Sequence, residues 1–194
     1  MNKLIAVVGA SGVGKTSLVQ ALARAHPFVT AYEQHAERPF QTLFKNDSRY
    51  AFANQIDYLM LRAEQEKALR ASEQTGLTDG GLDLDFHGFT RLFHSRGLLT
   101  DPEFDLCRRV YNFVRATIPR PELIVHLQAD EIRVASRLSR RNRINIANVE
   151  DTALFNSFVD EWLAGVPSEN LLQLDVSNED IDHSKSVNVI LGRL

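Results

Sequence analysis

The chain has one cysteine in 194 residues, Cys107, so no intrachain disulfide is open to it and a reducing, cytoplasmic setting is expected. No apolar run approaches the roughly 18 residues that span a bilayer, which argues against a membrane protein. Neither sign of charge dominates. Lys and Arg number 22 against 25 Asp and Glu, a formal charge of −3. A balance this close to neutral gives no whole-molecule attraction for nucleic acid or an anionic membrane. With 10 glycines and 6 prolines the chain is neither collagen-like nor a Pro-rich disordered segment. It has no internal repeats, no low-complexity stretch and no Gly-, Pro- or Ser-rich linker, and its 6 histidines show no metal-ligand spacing. What remains is an ordinary globular composition, 44% apolar and 24% charged, at a length that suits a single domain.

The hydrophobic pattern alternates between short runs and longer amphipathic segments. Leu4 to Val8, Phe28 to Glu33, Leu123 to Leu127 and Leu171 to Asp175 read as strands. The segment before Gly9 is read as a buried strand and not as a signal peptide. Helices are expected from Ser17 to Arg24, Arg49 to Ser72, Pro102 to Arg115 (with Asp101 as cap), Asp130 to Arg140 and Asp151 to Ala164. Thr75 to Asp85 is broken by glycines, so its strand character is weak. Strands separated by helices of ten or more residues make parallel βαβ units. The expected fold is a three-layer α/β domain over residues 1–194, with a parallel sheet of about five strands covered by helices on both faces.

Gly9-Ala10-Ser11-Gly12-Val13-Gly14-Lys15-Thr16 matches G-x-x-x-x-G-K-[ST] in full and lies between an apolar strand and a helix. Glycines let successive backbone N–H groups turn toward phosphate oxygens, and the helix directs its positive end at them. Ser17 extends the set of amides. Lys15 reaches the β- and γ-phosphates of ATP, and the Thr16 hydroxyl can ligate Mg²⁺. The motif does not say where the phosphoryl group goes. No N-K-x-D guanine tetrapeptide occurs, and no apolar strand ends in the D-E pair of motor ATPases. A kinase of a small molecule is the favoured class.

Glu33 ends the second strand, at the sheet edge where ligands bind in parallel α/β proteins, and a carboxylate there can take a proton from an attacking hydroxyl. The residues that follow are Pro39, Leu43-Phe44, Tyr50-Ala51-Phe52, Gln55, Leu59 and Arg62; further on come R-P-E-L-I-V-H-L from Arg120 and the arginines 137, 141 and 143. This order resembles the deoxynucleoside kinase family, whose members show a strand ending E-P, an aromatic-rich helix Y-A-F-x-x-Q-x-x-x-L-x-x-R and a lid R-x-x-x-R-x-R. With the phosphate loop, the resemblance runs from about residue 4 to residue 143.

The resemblance implies that Glu33 is the general base for a nucleoside 5′-hydroxyl. It also implies that Gln55 reads the base edge, with Phe52, Phe89 and Arg62 as further substrate contacts. Asp79 would lie near the metal and the substrate, and Arg137, Arg141 and Arg143 would close over the ATP phosphates. ATP and Mg²⁺ are the implied cofactors, a nucleoside the small-molecule partner, and a homodimer the implied assembly. Three positions depart from the family pattern. Gly80 stands where the family has the arginine of D-R-S or E-R-S. Lys45 follows Phe44 where a sugar-binding tyrosine would stand. Ile146 replaces a lid glutamate. These changes converge on the sugar, and two other readings stay open beside the nucleoside kinase: a nucleotide-binding protein with little transfer, and a kinase of a different alcohol. Asp83 and Asp85 could aid Mg²⁺ or substrate binding, and a solvated acidic loop is the favoured reading.

Overall fold

The apolar runs become the strands of one sheet. In the computed structural model, which describes residues 2–32, 38–130, 134, 149–180 and 182–194, these are β1 (Leu4–Val8), β2 (Val29–Ala31), β3 (Gly76–Asp79), β4 (Leu123–Gln128) and β5 (Leu171–Asp175). All pairings are parallel and the strand order is β2-β3-β1-β4-β5. The chain winds outward from β1 in both directions, so the crevice at the carboxyl end of β1 is where a ligand is expected.

Side-chain alternation along β1 assigns its two faces. Ile5 and Val7, with Val125 and Leu127 of β4, pack on α1 (Lys15–Ala25) through Val19 and Leu22, and on the C-terminal helix (Ser184–Leu191) through Val187 and Ile190. Ala6, Val8 and Ile124 face the other way, against Leu84 and Leu92 and against Phe155, Val159 and Leu163 of the Val149–Leu163 helix. Period-2 strands buried on both faces require helices on both faces, and that is the arrangement found. A further apolar cluster joins α2 (Pro39–Asn46), α3 (Ala51–Ala71) and α6 (Asp101–Thr117) to the run of short helical pieces between β3 and α6, which are α4 (Leu82–Leu84), a π-turn (Asp85–Thr90) and α5 (Arg91–Ser95). The last two helices of the chain are α7 (Val149–Leu163) and α8 (Ser184–Leu191). Among the described residues no helix is long and apolar enough to cross a membrane.

Several expectations shift. The glycine-broken segment holds β3, a buried strand beside the sheet's centre. A Cβ at Gly76 would lie 2.9 Å from Leu69 Cβ and 3.0 Å from a Leu4 methyl, so the glycine marks the close passage of α3 over the strand. The cap of α6 is Thr100 and not Asp101: its N–H and hydroxyl both donate to Glu103 Oε2 at 2.8 Å. Helical segments at Pro39–Asn46, Leu82–Ser95 and Ser184–Leu191 add to those expected from the hydrophobic pattern. The helix expected at Asp130 to Arg140 falls almost wholly outside the described residues.

Candidate active site

The phosphate loop joins β1 to α1 at the carboxyl edge of the sheet. Gly9, Gly12 and Gly14 take φ values of +139°, +83° and +116°, which an L side chain resists. Gly9 has a second constraint, because a Cβ there would sit 2.5 Å from the Leu127 carbonyl oxygen of β4. The loop is pinned between two strands and its shape is held by the sheet. Lys15 Nζ donates to the carbonyls of Gly9 and Ala10, both at 3.0 Å, so the ammonium arches over the loop. The N–H groups of Lys15, Thr16 and Ser17 stand in the first turn of α1, where backbone donors have no intrahelical acceptor.

Strand register brings Asp79 to this loop. Val7 pairs with Asp79, and the N–H of Gly80 donates to the Val7 carbonyl at 2.9 Å. The Thr16 hydroxyl donates to Asp79 Oδ2 at 2.5 Å. Asp79 is 1% exposed, and its Oδ1 is buried with no hydrogen-bond partner. A buried carboxylate oxygen without a partner is costly, and a hard cation is the kind of group that relieves it. The Thr16–Asp79 pair therefore suits Mg²⁺, which takes one or two protein oxygens and completes its octahedron with phosphates and water. Among the described residues no three His, Cys, Asp or Glu side chains cluster as a protein-only metal cage.

From Asp79 a chain of polar contacts leads along α3. Arg62 donates through Nη1 to the Asp79 carbonyl at 3.1 Å and to Gln65 at 3.1 Å, and through Nε to Asp85 Oδ2 at 2.6 Å. The Arg62 and Asp85 side chains are only 5% and 7% exposed. Gln55 donates from Nε2 to the Thr90 hydroxyl at 2.8 Å and to the Asp85 carbonyl at 3.3 Å. Gln55, Arg62 and Asp79 thus share one connected network. Gly80, at φ +86°, leaves room beside it for Arg62: a Cβ would lie 3.2 Å from Nη2. A guanidinium is therefore present next to Gly80, supplied by the helix.

Phe52 is half-buried and packs on the α3–α6 cluster. The Phe89 ring leans on Phe155, with centroids 4.8 Å apart, and belongs to the core beneath α7. Glu33, Arg137, Arg141, Arg143 and Ile146 lie outside the described residues. Tyr32, which precedes Glu33, is tied to α3 by a 3.2 Å hydrogen bond from Gln65 to its carbonyl.

The solvated acidic loop is a correction. Asp83 and Asp85 are both buried, because each has a cation waiting in another element. Arg115 of α6 donates to Asp83 Oδ1 at 2.8 Å and to both Glu66 oxygens at 2.7 and 3.1 Å, while the Tyr111 hydroxyl donates to Asp83 at 2.7 Å. Burial alone would lower the Arg115 pKa, but the two carboxylates outweigh it and hold the guanidinium above its ordinary value. Glu66 also accepts from the N–H of Leu82 at 3.0 Å. The network thereby clamps the segment carrying Asp79 and Asp85. Residues 71–90 contain no Lys or Arg, yet interleave Asp79, Asp83 and Asp85 with Leu77, Leu82, Leu84 and Phe86. That pattern was the available signal for acids buried against cations from elsewhere.

The chain is 22% identical to a deoxyadenosine/deoxycytidine kinase of Bacillus subtilis (strain 168) over an alignment of 196 positions, covering 97% of this chain and 90% of that protein. It is 28% identical to a deoxyadenosine kinase of Dictyostelium discoideum over 140 residues, 72% of this chain and 57% of that one. Among solved structures, the deoxyadenosine kinase from M. mycoides with bound dATP superposes with a TM-score of 0.80 at 19% identity, covering 97% of each chain. The same enzyme with dCMP and dCDP gives 0.79 at 18% identity, over 98% of this chain and 97% of that one. The deoxynucleoside kinase family model matches residues 5–191, from the first strand to the last helix, and the chain belongs to that family.

Proposed function

We propose that this kinase transfers the γ-phosphoryl group of ATP to the 5′-hydroxyl of a deoxynucleoside, within one catalytic domain formed by the whole chain. The observation that carries the reading is the Thr16–Asp79 pair at the phosphate loop, with one buried Asp79 oxygen left for a metal. Mg²⁺ held there would neutralise charge on the β- and γ-phosphates. The loop amides and Lys15 orient the phosphates, and α1 directs its positive end at them. Glu33, placed by sequence after the end of β2, takes the proton of the attacking hydroxyl. Arg137, Arg141 and Arg143 supply the further positive charge that phosphoryl transfer calls for.

The nucleoside lies along α3 from Asp79 toward Gln55. Arg62 and Asp85 present a buried donor–acceptor pair, and Gln55 adds an amide suited to a base edge. The kinase relatives named for deoxyadenosine and deoxycytidine support a base of that kind. Around the sugar the site is altered, since Lys45 and Ile146 remove two expected 3′-hydroxyl partners. A 3′-deoxy analogue is therefore expected to bind about as well as its parent, and a large loss of affinity would contradict the altered sugar site.

A homodimer is supported by the surface. Leu106 and Phe113, seven residues apart on one face of α6, are 40% and 74% exposed, and Met60 of the adjacent α3 is 44% exposed. The activity is tested by ADP release from Mg-ATP over a panel of deoxynucleosides and ribonucleosides, with Lys15→Ala and Glu33→Gln alongside. Turnover dependent on both residues is expected. ATP binding with no turnover would favour a binding module or a different acceptor.

A further inference from the structure

A cavity of about 680 Å³ opens at the opposite end of the sheet from the phosphate loop. Its lining includes residues just before β4 and β5, together with side chains of the π-turn, α6 and α7. Because the strands are parallel, this end is separated from the phosphate loop by most of the length of β4, while Phe86 and His87 of its lining follow directly on Asp85. The volume lies in the range of small-molecule sites.

Its walls combine flat rings with arginine side chains. His87 and Trp162 lie parallel within 2°, centroids 5.2 Å apart, and Phe104 forms part of another wall. The two carboxylates on the lining are already engaged. Glu161 is paired with Arg91 at 2.6 Å, and Glu122 accepts from Arg70 at 3.0 Å and from the N–H of Leu4 at 2.7 Å. Two further arginines line the same cavity. Arg108 has a partner in Asp105, one turn back on α6, in a pair more than half exposed on both sides. Arg120 makes no ion pair among the described residues. Its charge acts on His87, and its side chain lies within hydrogen-bonding reach of the Tyr111 hydroxyl. The cavity thus offers two guanidiniums to an anion and a ring surface to something flat.

We propose that this cavity is a second ligand site, taking a small aromatic anion whose ring packs at the His87–Trp162 wall and whose charge is held by Arg108 and Arg120. The site is independent of the catalytic reading, since it shares no residue with the phosphate loop or with the Arg62–Asp85 pair.

Trp162 is the chain's one tryptophan, so its emission reports on this cavity. The full chain carrying Lys15→Ala, which weakens anion binding at the phosphate loop, is titrated with phenyl phosphate and with benzoate. Inorganic phosphate and phenol serve as the anion-only and ring-only controls, and calorimetry runs in parallel. Saturable binding of phenyl phosphate or benzoate is expected, at least tenfold tighter than either control. Affinity should fall tenfold or more in Arg108→Ala/Arg120→Ala, with an unchanged melting midpoint because both side chains are on the surface. Arg120→Lys should retain part of it. No saturable binding by either method, equal binding of inorganic phosphate, or unchanged affinity in the double variant would overturn the proposal.

Discussion

Replacing Arg115 by Met leaves Glu66 and Asp83 facing one another with their shared cation gone. The side chains of Arg115, Glu66 and Asp83 are 6%, 1% and 4% exposed, so water does not replace the guanidinium. Each carboxylate keeps one donor, the Leu82 N–H and the Tyr111 hydroxyl respectively, while Asp83 Oδ2 already lacks a partner. Breaking a buried ion pair by removing one member costs about 3–5 kcal/mol, a large share of the roughly 5–15 kcal/mol that holds a domain folded. For a chain of this length that is about 6–20 °C in melting temperature. Urea denaturation followed by circular dichroism at pH 7 measures the loss. Glu66→Gln/Asp83→Asn/Arg115→Met, with no charge left to strand, should recover most of the loss. A deficit below about 1 kcal/mol at pH 7, or a triple variant as unstable as Arg115→Met alone, would contradict the buried-pair assignment.

Gly9→Ala combines an unfavourable φ with a 2.5 Å approach to the Leu127 carbonyl, so stability should drop by about 1–3 kcal/mol and ATP affinity by more than tenfold, read by nucleotide titration. Burial pushes the His87 pKa down to about 4. The unfolded chain takes a proton near pH 6.5 while the native state refuses it, so His87 costs nothing above that pH and lowers stability as pH falls from 6.5 to 4. His87→Gln should flatten the loss over that window by about 2 kcal/mol after allowance for partial exposure, and parallel urea midpoints in variant and parent would contradict it. The proposed homodimer predicts that the parent sediments as a dimer and that Leu106→Glu/Phe113→Glu, which places charge on the exposed face of α6, sediments as a monomer; a monomeric parent would contradict it.

The fold was legible where one rule sufficed. Apolar runs of about five residues mark β1 and β4 because strands buried on both faces carry no alternation, while the edge strand β5 buries only Leu172 and shows through its leucines. The Gly9–Thr16 loop was legible because each glycine answers a backbone demand set within the loop itself. β3 was obscured because Gly76 reports on the approach of Leu69, a contact across tertiary structure that no local propensity carries. The burial of Asp83 and Asp85 depended on Arg62 and Arg115, which come from two helices lying 23 residues before and 32 after their partners. The Thr16–Asp79 contact likewise spans 63 residues, and register alone brings it about. Gln55 and Arg62 came from the family pattern; their joint contact with Asp85 came from the fold.

The most direct test of the account follows the γ-phosphoryl group. With γ-labelled ATP, Mg²⁺ and deoxyadenosine or deoxycytidine, label is expected in the nucleoside 5′-monophosphate. A 5′-deoxy analogue should receive none. Transfer should be lost in Lys15→Ala and reduced at least a hundredfold in Asp79→Asn, with the fold of both intact. Label that appears only as inorganic phosphate, or transfer that survives Asp79→Asn unchanged, would contradict it.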